Sequence, residues 1–345
     1  MTLPHTNRAI IEVNGRQFDS WHDGPAYFKG VEINLSSGAA SECEWRIFDP
    51  DSNLLRQFLT GEDLMELTVK ARLGFGIEVP NSPPIFEGIL TSAEWERDTI
   101  ILRSYDNGYR MRKAKETEYH RNLDDVQIIE KLAKQNGLSF EGPTPAIKLD
   151  RHKSLIQDGQ TDWEFATERA ENAGLVLYVR RNTLYAKEAA KTSPPILTLT
   201  YGQDFILSDG INFRYRAPEN VEGRPGRVEV RARGKGGRRI TGRSDENRRG
   251  VRHVELRNDL PIKTKRSADR RAQARKDIQR EHAFTGSIKL LPTFEGRWPD
   301  IRDTVLVKGI GPLFGGKYIC GEVAHSFGPG VIETTLDLYR DIRGA

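Results

Sequence analysis

The chain has 345 residues, 37% hydrophobic and 30% charged, with 32 Gly and 17 Pro; this is core material for two to four packed units and excludes wholesale disorder. No run approaches the roughly 20 apolar residues of a membrane helix, and the opening MTLPHTNRAIIEVNG lacks a charged stretch followed by an apolar one, so synthesis and assembly in the cytosol are expected. The formal net charge is only +4, yet residues 224–280 hold 20 Lys or Arg against 7 Asp or Glu, a local +13 that leaves −9 on the rest.

The first hundred residues alternate strand-like runs with turn signals: AIIEVNGRQF, YFKGVEINL, ECEWRIFD, LMELTVKARLGF, PIFEGILTSAEWE and TIILRSYD. Their β-branched and aromatic content predicts a small antiparallel barrel or sandwich. Asn14-Gly15 is a ready tight turn, and Phe86 to Asp106 reads as two strands joined around Glu96-Arg97-Asp98.

From residue 107 to 195 the period lengthens. Val126, Ile129, Leu132 and Ala133 recur at helical spacing, with Asn122 or Asp124 as start caps and Asn136-Gly137 as the stop. A second helix starts at Thr161, where Thr161 and Glu164 form a capping box, and it places Trp163, Ala166, Ala170 and Ala173 on one side. Gly174 supplies the left-handed end, and LVLYVRRNTLYAKEA follows as a hairpin across Arg181-Asn182.

After Pro194-Pro195 the strand pattern resumes with ILTLTYG, FILSDGINFRYRA and RVEVRARG. Residues 234–250 have no apolar periodicity and are expected to be a mobile loop. A charged helix is predicted over 267–281; its apolar face is limited to Ala268, Ala272, Ala274 and Ile278, so it needs a neighbour. Strands around TVLVKGIG, KYICGEVAHSF and VIETTLDLYRD close the chain. The last two echo PIFEGILTSAEWE and TIILRSYD, each pair being a long hairpin that ends in a Tyr closely followed by an Asp, which hints at duplication. The expected fold class is therefore α+β, mainly β: a first β-barrel domain over 1–106, an inserted α/β domain over 107–195 and a second β-barrel domain over 196–345.

Candidate chemistry is sparse. The seven histidines, His5, His22, His120, His152, His253, His282 and His325, are not spaced as metal ligands, and neither HExxH nor a Cys/His cluster occurs. His325 lies in an alternating strand and reads as a hydrogen-bonded strand histidine rather than a base. No Gly-x-Ser-x-Gly elbow is present, and Gly234-Lys235-Gly236-Gly237 lacks the ending of a phosphate-binding loop. Asp124 and Asp125 are expected to complement a helix dipole, and Glu94 and Glu96 to face water. Cys43 and Cys320 are expected to be buried free thiols. No catalytic, metal-binding or cofactor-binding residue is assigned, and the expectation is a protein that is not an enzyme.

The basic segment is the sharper feature. Lacking any helix-turn-helix, RNA-binding strand signature or zinc module, it reads as a solvated face or a contact to an acidic protein surface in preference to a nucleic-acid site. Arg238, Arg239, Arg248 and Arg249 are the expected protein-interface residues, because a guanidinium pairs carboxylates in a planar fork.

The stretch SLIQDGQTDWEFATERAENAGLVLYV, the preceding LDDVQIIEKLAKQNGLSF and the ending GGKYICGEVAHSFGPGVIETTLDLYR together resemble the phage late control protein D family, tail baseplate hubs related to the N-terminal part of type VI secretion spike proteins. Gln157, Asp162, Trp163, Phe165, Ala170, Gly174, Gly316, Tyr318, Val323, His325, Gly330, Thr335, Leu338 and Arg340 carry the match. The resemblance implies a homotrimer whose two similar β-barrel domains per subunit make a pseudo-six-fold ring. That ring would join the tail tube protein above to a spike below, beside other baseplate proteins, in a phage tail or contractile injection particle. Relatives that carry the spike continue beyond this point, so the end at Ala345 implies a separate spike protein. The alternatives are a nucleic-acid-binding protein using 224–280 and a tail-associated cell-wall hydrolase.

Overall fold

In a computed structural model the described residues are 7–22, 28–51, 53, 56, 67–113, 115–144, 146–147, 149–189, 193–207, 213–215, 227–233, 238–244, 252–256, 265–291, 298–328 and 331–340. The first seven strands are β1 (Asn7–Val13), β2 (Arg16–Asp19), β3 (Phe28–Ser36), β4 (Glu42–Phe48), β5 (Thr68–Phe75), β6 (Phe86–Glu96) and β7 (Thr99–Asp106). Asn14 and Gly15, both at positive φ, make the predicted two-residue turn between β1 and β2, and Arg97-Asp98 makes the one between β6 and β7. Alternating side chains of these strands, including Ile11, Ile33, Trp45, Ile47, Val69 and Leu102, are fully buried.

The inserted unit comprises β8 (Lys115–His120), α1 (Asp125–Gln135), β9 (Ser139–Glu141), β10 (Leu155–Thr161), α2 (Asp162–Ala173), β11 (Leu175–Arg180) and β12 (Thr183–Glu188). Both helix starts are capping boxes, Asp124 with Gln127 and Thr161 with Glu164, and Gly174 at φ 76° ends α2 in the left-handed conformation. Each such cap contributes about 1 kcal/mol. The unit has its own core, built on Ile128, Ile129, Leu132, Phe165, Ala170 and Leu184. Trp163 is not part of the fully buried stripe; Phe165 takes that place, and the Trp163 ring instead lies 3.5 Å beneath the Arg112 guanidinium.

The remainder contains β13 (Leu197–Thr200), β14 (Phe205–Leu207), β15 (Arg214–Tyr215), β16 (Arg227–Arg233), β17 (Arg239–Arg243), β18 (Arg252–Leu256), α3 (Lys265–Arg280), β19 (Phe284–Leu290), β20 (Thr304–Lys308), the short α4 (Gly311–Phe314), β21 (Gly316–Gly328) and β22 (Val331–Arg340). The charged helix is thus present. Part of the expected loop is not a loop: residues 239–243 form a strand antiparallel to β16.

The mainly β, α+β character is borne out. The barrels need correction, since no closed barrel is found among the described strands. Fourteen strands instead form one sheet, with the order β14-β19-β22-β21-β3-β4-β7-β6-β5-β1-β2 and β13, β15 and β20 attached to it. The physical reason is at its centre. Glu322 to Phe327 of β21 pair with β3, so the two halves join edge to edge instead of each closing on itself.

The two halves repeat one topology. Strands run β3-β4-β7-β6-β5-β1 in the first and β15-β19-β22-β21-β20-β13 in the second, every neighbour antiparallel except β13–β20. Even the bulges correspond: the register shifts between Leu90 and Ser92 in β6, and between Cys320 and Glu322 in β21. The hint of duplication in the two Tyr-ending hairpins therefore reflects a repeated arrangement of strands. In the second half β16, β17, β18 and α3 occupy the connection that in the first half is the short link between β3 and β4.

Candidate functional site

The residues singled out by the sequence signature hold the chain together. Gln157 is fully buried and donates to Gln160 O at 3.1 Å and Asp162 Oδ1 at 2.8 Å; Asp162 in turn accepts from Asn136 Nδ2 at 2.7 Å, so β10, α2 and the end of α1 share one network. Phe165 stacks on His120 inside the inserted unit. Arg340, also buried, donates to Gly315 O at 2.9 Å and Leu313 O at 2.5 Å, and its guanidinium lies over Phe284 and Tyr318. Gly316 is required beside it, because a Cβ there would fall 2.2 Å from Arg340 Nη1. Tyr318 donates to Phe314 O at 2.7 Å. Gly330 lies outside the described residues.

His325 is the hydrogen-bonded strand histidine expected, with Nδ1 2.9 Å from Thr334 Oγ1 and Trp298 edge-on to its ring. Burial pushes its pKa down to about 4, which keeps it neutral. Cys43 and Cys320 are buried free thiols whose pKa burial raises. Glu94 is exposed and accepts from Arg103 at 3.1 Å. Among the described residues no group of three or more His, Cys, Asp or Glu could hold a metal ion, and no helix is long and apolar enough to cross a membrane.

The basic segment folds as a module of its own. β16 pairs antiparallel with β17 and parallel with β18, while Val228, Val230 and Ala232 pack on Ala268 and Ala272 of α3. Gly242 permits that contact, since a Cβ there would fall 2.0 Å from the Ala268 carbonyl carbon. This is why a strand forms where RRITGR offers one apolar side chain. Glu229, fully buried, accepts from Arg231 at 3.3 Å and lies 3.2 Å from Arg243.

Of the four interface residues expected, Arg238 and Arg239 are exposed at the head of β17. Arg248 and Arg249 lie outside the described residues. Arg266 and Arg270 of α3 are also exposed; their four-residue spacing was the available signal for them.

Other cations of the run are internal. Arg271, Lys276 and Arg280 are buried, and Arg271 reaches across to the inserted unit, donating to Asp125 Oδ2 at 3.1 Å and Asn172 O at 3.2 Å. Asp125 does lie in the first turn of α1, where a negative charge complements the helix dipole as expected. It is fully buried, with His152 Nε2 at 2.8 Å and Arg169 Nη1 at 3.8 Å. Burial alone would raise the Asp125 carboxyl; His152, Arg271 and Arg169 together outweigh it and hold the pKa below the ordinary value. Arg275 pairs with Glu171 beside this clasp, and Gly174 admits Ala274, whose Cβ would lie 2.4 Å from a Cβ at that glycine. A second latch joins Arg180 of β11 to Asp300 and, at 3.3 Å, to Asp303.

Comparison with known proteins bears on what this arrangement is for. The Neisseria meningitidis MC58 tail protein superposes with a TM-score of 0.70 at 15% identity, covering 98% of this chain and 97% of that one. The 43 kDa tail protein of prophage MuSo2 from Shewanella oneidensis gives 0.66 at 12% identity, over 96% and 98%. This chain has a phage tail protein fold. A type VI secretion system component of E. coli, described as similar to the T4 bacteriophage tail proteins gp27 and gp5, gives 0.61 at 11% identity over 95% of this chain and 76% of its own. A family model for the Alg8 N-terminal domain matches residues 61–216, less than half of the chain. That span starts ahead of β5 and cuts across both halves of the sheet, so it corresponds to no unit of this fold. No curated protein matches the sequence.

Proposed function

We propose that the chain is a structural baseplate hub of the late control protein D type in a phage tail or contractile injection particle, assembled in the bacterial cytoplasm. Three copies form a ring that joins the tail tube to the central spike. The repeated strand order carries this reading: two like half-sheets in each copy give three copies six near-equivalent positions, which is what a three-fold body needs to meet a six-fold tube. The tail protein fold, matched over at least 95% of the chain, supports it.

The division into 1–106, 107–195 and 196–345 is part of the proposal, with the middle unit latched to the last part by the Asp125 and Arg180 ion pairs. Arg238 and Arg239, with Arg248 and Arg249, contact an acidic surface of the tube, the spike or another baseplate protein. No step of this role requires a catalytic group.

The test is a mass measurement on the purified protein, alone and mixed with the tube protein of the same particle, followed by electron microscopy of assembled particles. A three-copy mass and a position at the junction of tube and spike are the expected results. Location elsewhere in the particle would overturn the reading.

A further inference from the structure

Among the described residues, the repeat makes one contact in its second half that has no counterpart in its first. In the second half β21 serves two neighbours: Gly316 to Ile319 pair with β20, and beyond the bulge Glu322 to Phe327 pair with β3. Its counterpart β6 starts in the same way, with Phe86 to Ile89 paired to β5. Beyond its bulge, Ser92 to Glu96 have β7 on one side and, among the described residues, no strand on the other.

The side chains tell the same story. Matching the two bulges places Ala93 at the position of Val323 and Trp95 at that of His325. Val323 and His325 are 0% and 1% exposed, whereas Ala93 is half-buried and Trp95 is 47% exposed. Both first-half residues point to the core side of the sheet, in rows with the buried Leu102 and Ile100. Trp95 thus keeps 47% of its surface exposed at a position whose counterpart, His325, is covered.

The strand that would fill the place is set by the same correspondence. Inside the chain β21 is completed by β3, and the second-half equivalent of β3 is the edge made by β14 and β15, both paired with β19. Arg214 and Tyr215 have no strand on their other side among the described residues, and Tyr215 and Ile206 are 46% and 44% exposed.

We propose that the β14/β15 edge of one copy of this chain pairs antiparallel with Ser92 to Glu96 of a second copy. The pairing continues the sheet between copies as β3–β21 continues it within one, and it rests on the multi-copy ring of the preceding section. Because the two surfaces differ, the contact is head-to-tail: every copy offers one edge and accepts one, and the series ends only by closing into a ring. Backbone pairing at the edge supplies ladder bonds on the side where, among the described residues, Ser92 to Glu96 have no strand, and burial of Trp95 supplies apolar contact.

The experiment uses the full chain, sedimentation mass, and two variants, Trp95→Lys and Tyr215→Lys. Both sites are solvent-exposed, so thermal melting within a few degrees of wild type is the control for folding. Each variant alone is expected to sediment as a single copy while wild type forms the ring. Mixing the two is the deciding step: each keeps one intact edge, so an equimolar mixture yields a two-copy species and nothing larger. If wild type assembles and both variants assemble equally well, the edge assignment fails while the ring reading stands. If wild type remains a single copy at high concentration, both fail. Should Tyr215→Lys melt early, a double variant of Arg214 and Ile206 to Glu replaces it at the β14/β15 edge, and should Trp95→Lys melt early, Trp95→Ser replaces it in β6; full assembly by the replacement overturns the assignment.

Discussion

Arg271 donates to Asp125 Oδ2 at 3.1 Å, although one residue lies in the basic helix α3 and the other at the start of α1 in the inserted unit. Both are buried, and His152 and Arg169 share the same carboxylate. Removing the carboxylate leaves buried cations without compensation, which costs about 3–5 kcal/mol at such sites. Asp125→Ala is therefore expected to lower the melting temperature well beyond any surface substitution, as measured by calorimetry.

The same carboxylate sets an acid limit. Its pKa is held below the unfolded-state value, so the unfolded chain binds the proton first as pH falls. The stabilisation is complete above the ordinary aspartate value of about 3.9 and is lost as pH drops through the lower folded value. In denaturant melts across pH, Asp125→Asn should flatten the part of the profile below about pH 4; an unchanged profile would remove Asp125 from this role.

His325 acts in a different window. Burial lowers its pKa from 6.5 to about 4, so between these values the unfolded chain is protonated and the folded chain is not. Stability should rise with pH across that interval, by roughly 3 kcal/mol at most. A His325→Gln variant should lose this slope while keeping the one below it, which separates the two residues in a single set of melts.

Gly174 and Ala274 offer a test of packing. Alanine at 174 meets a left-handed backbone, a cost of roughly 1–2 kcal/mol, and also collides with the Ala274 side chain. Ala274→Gly removes the collision and leaves the backbone cost. The double variant should recover part of the lost stability, and strict additivity of the two single effects would show that the helices do not press on each other there.

Charge reversal at Arg238, Arg239, Arg248 and Arg249 is expected to abolish binding to the acidic partner with no change in melting temperature. Wild-type binding should weaken as salt rises, because exposed charges are screened over about 8 Å at physiological ionic strength. A pull-down in which the reversed variant binds normally would refute the assignment. Gel-shift binding of nucleic acid that falls steeply with salt would favour the rival use of the basic module.

Elements fixed by local chemistry were legible in the sequence. The capping residues Thr161 and Glu164, the stop at Gly174 and the turn at Asn14-Gly15 declare themselves within a few residues, and the structure has them all. Contacts between distant segments were not. Alternation identifies the buried face of β21 but carries no information on which strand lies along its edge, so β3 could not be named and barrels were inferred in place of one sheet. Strand β17 was hidden because Ile240 is its one large apolar side chain; the cause of the strand is the fit of Gly242 against Ala268, a relation between residues of two different elements. The charge run misled in another way. Arg271 adjoins Ala272 on the inward side of α3 and is an internal tie, while Arg266 and Arg270, four residues apart, face water.

The pairing of β21 with β3 also constrains how the protein comes into being. On the ribosome, β3 emerges long before the segment that covers its second edge, Glu322 to Phe327. The first half of the sheet must therefore wait, while all the intervening residues are made, with a bare strand border, a state in which neighbouring nascent chains can stick to one another. Truncation a few residues short of Glu322 should turn a well-behaved polypeptide into one that precipitates or recruits chaperones, even though every residue of the first half is still there.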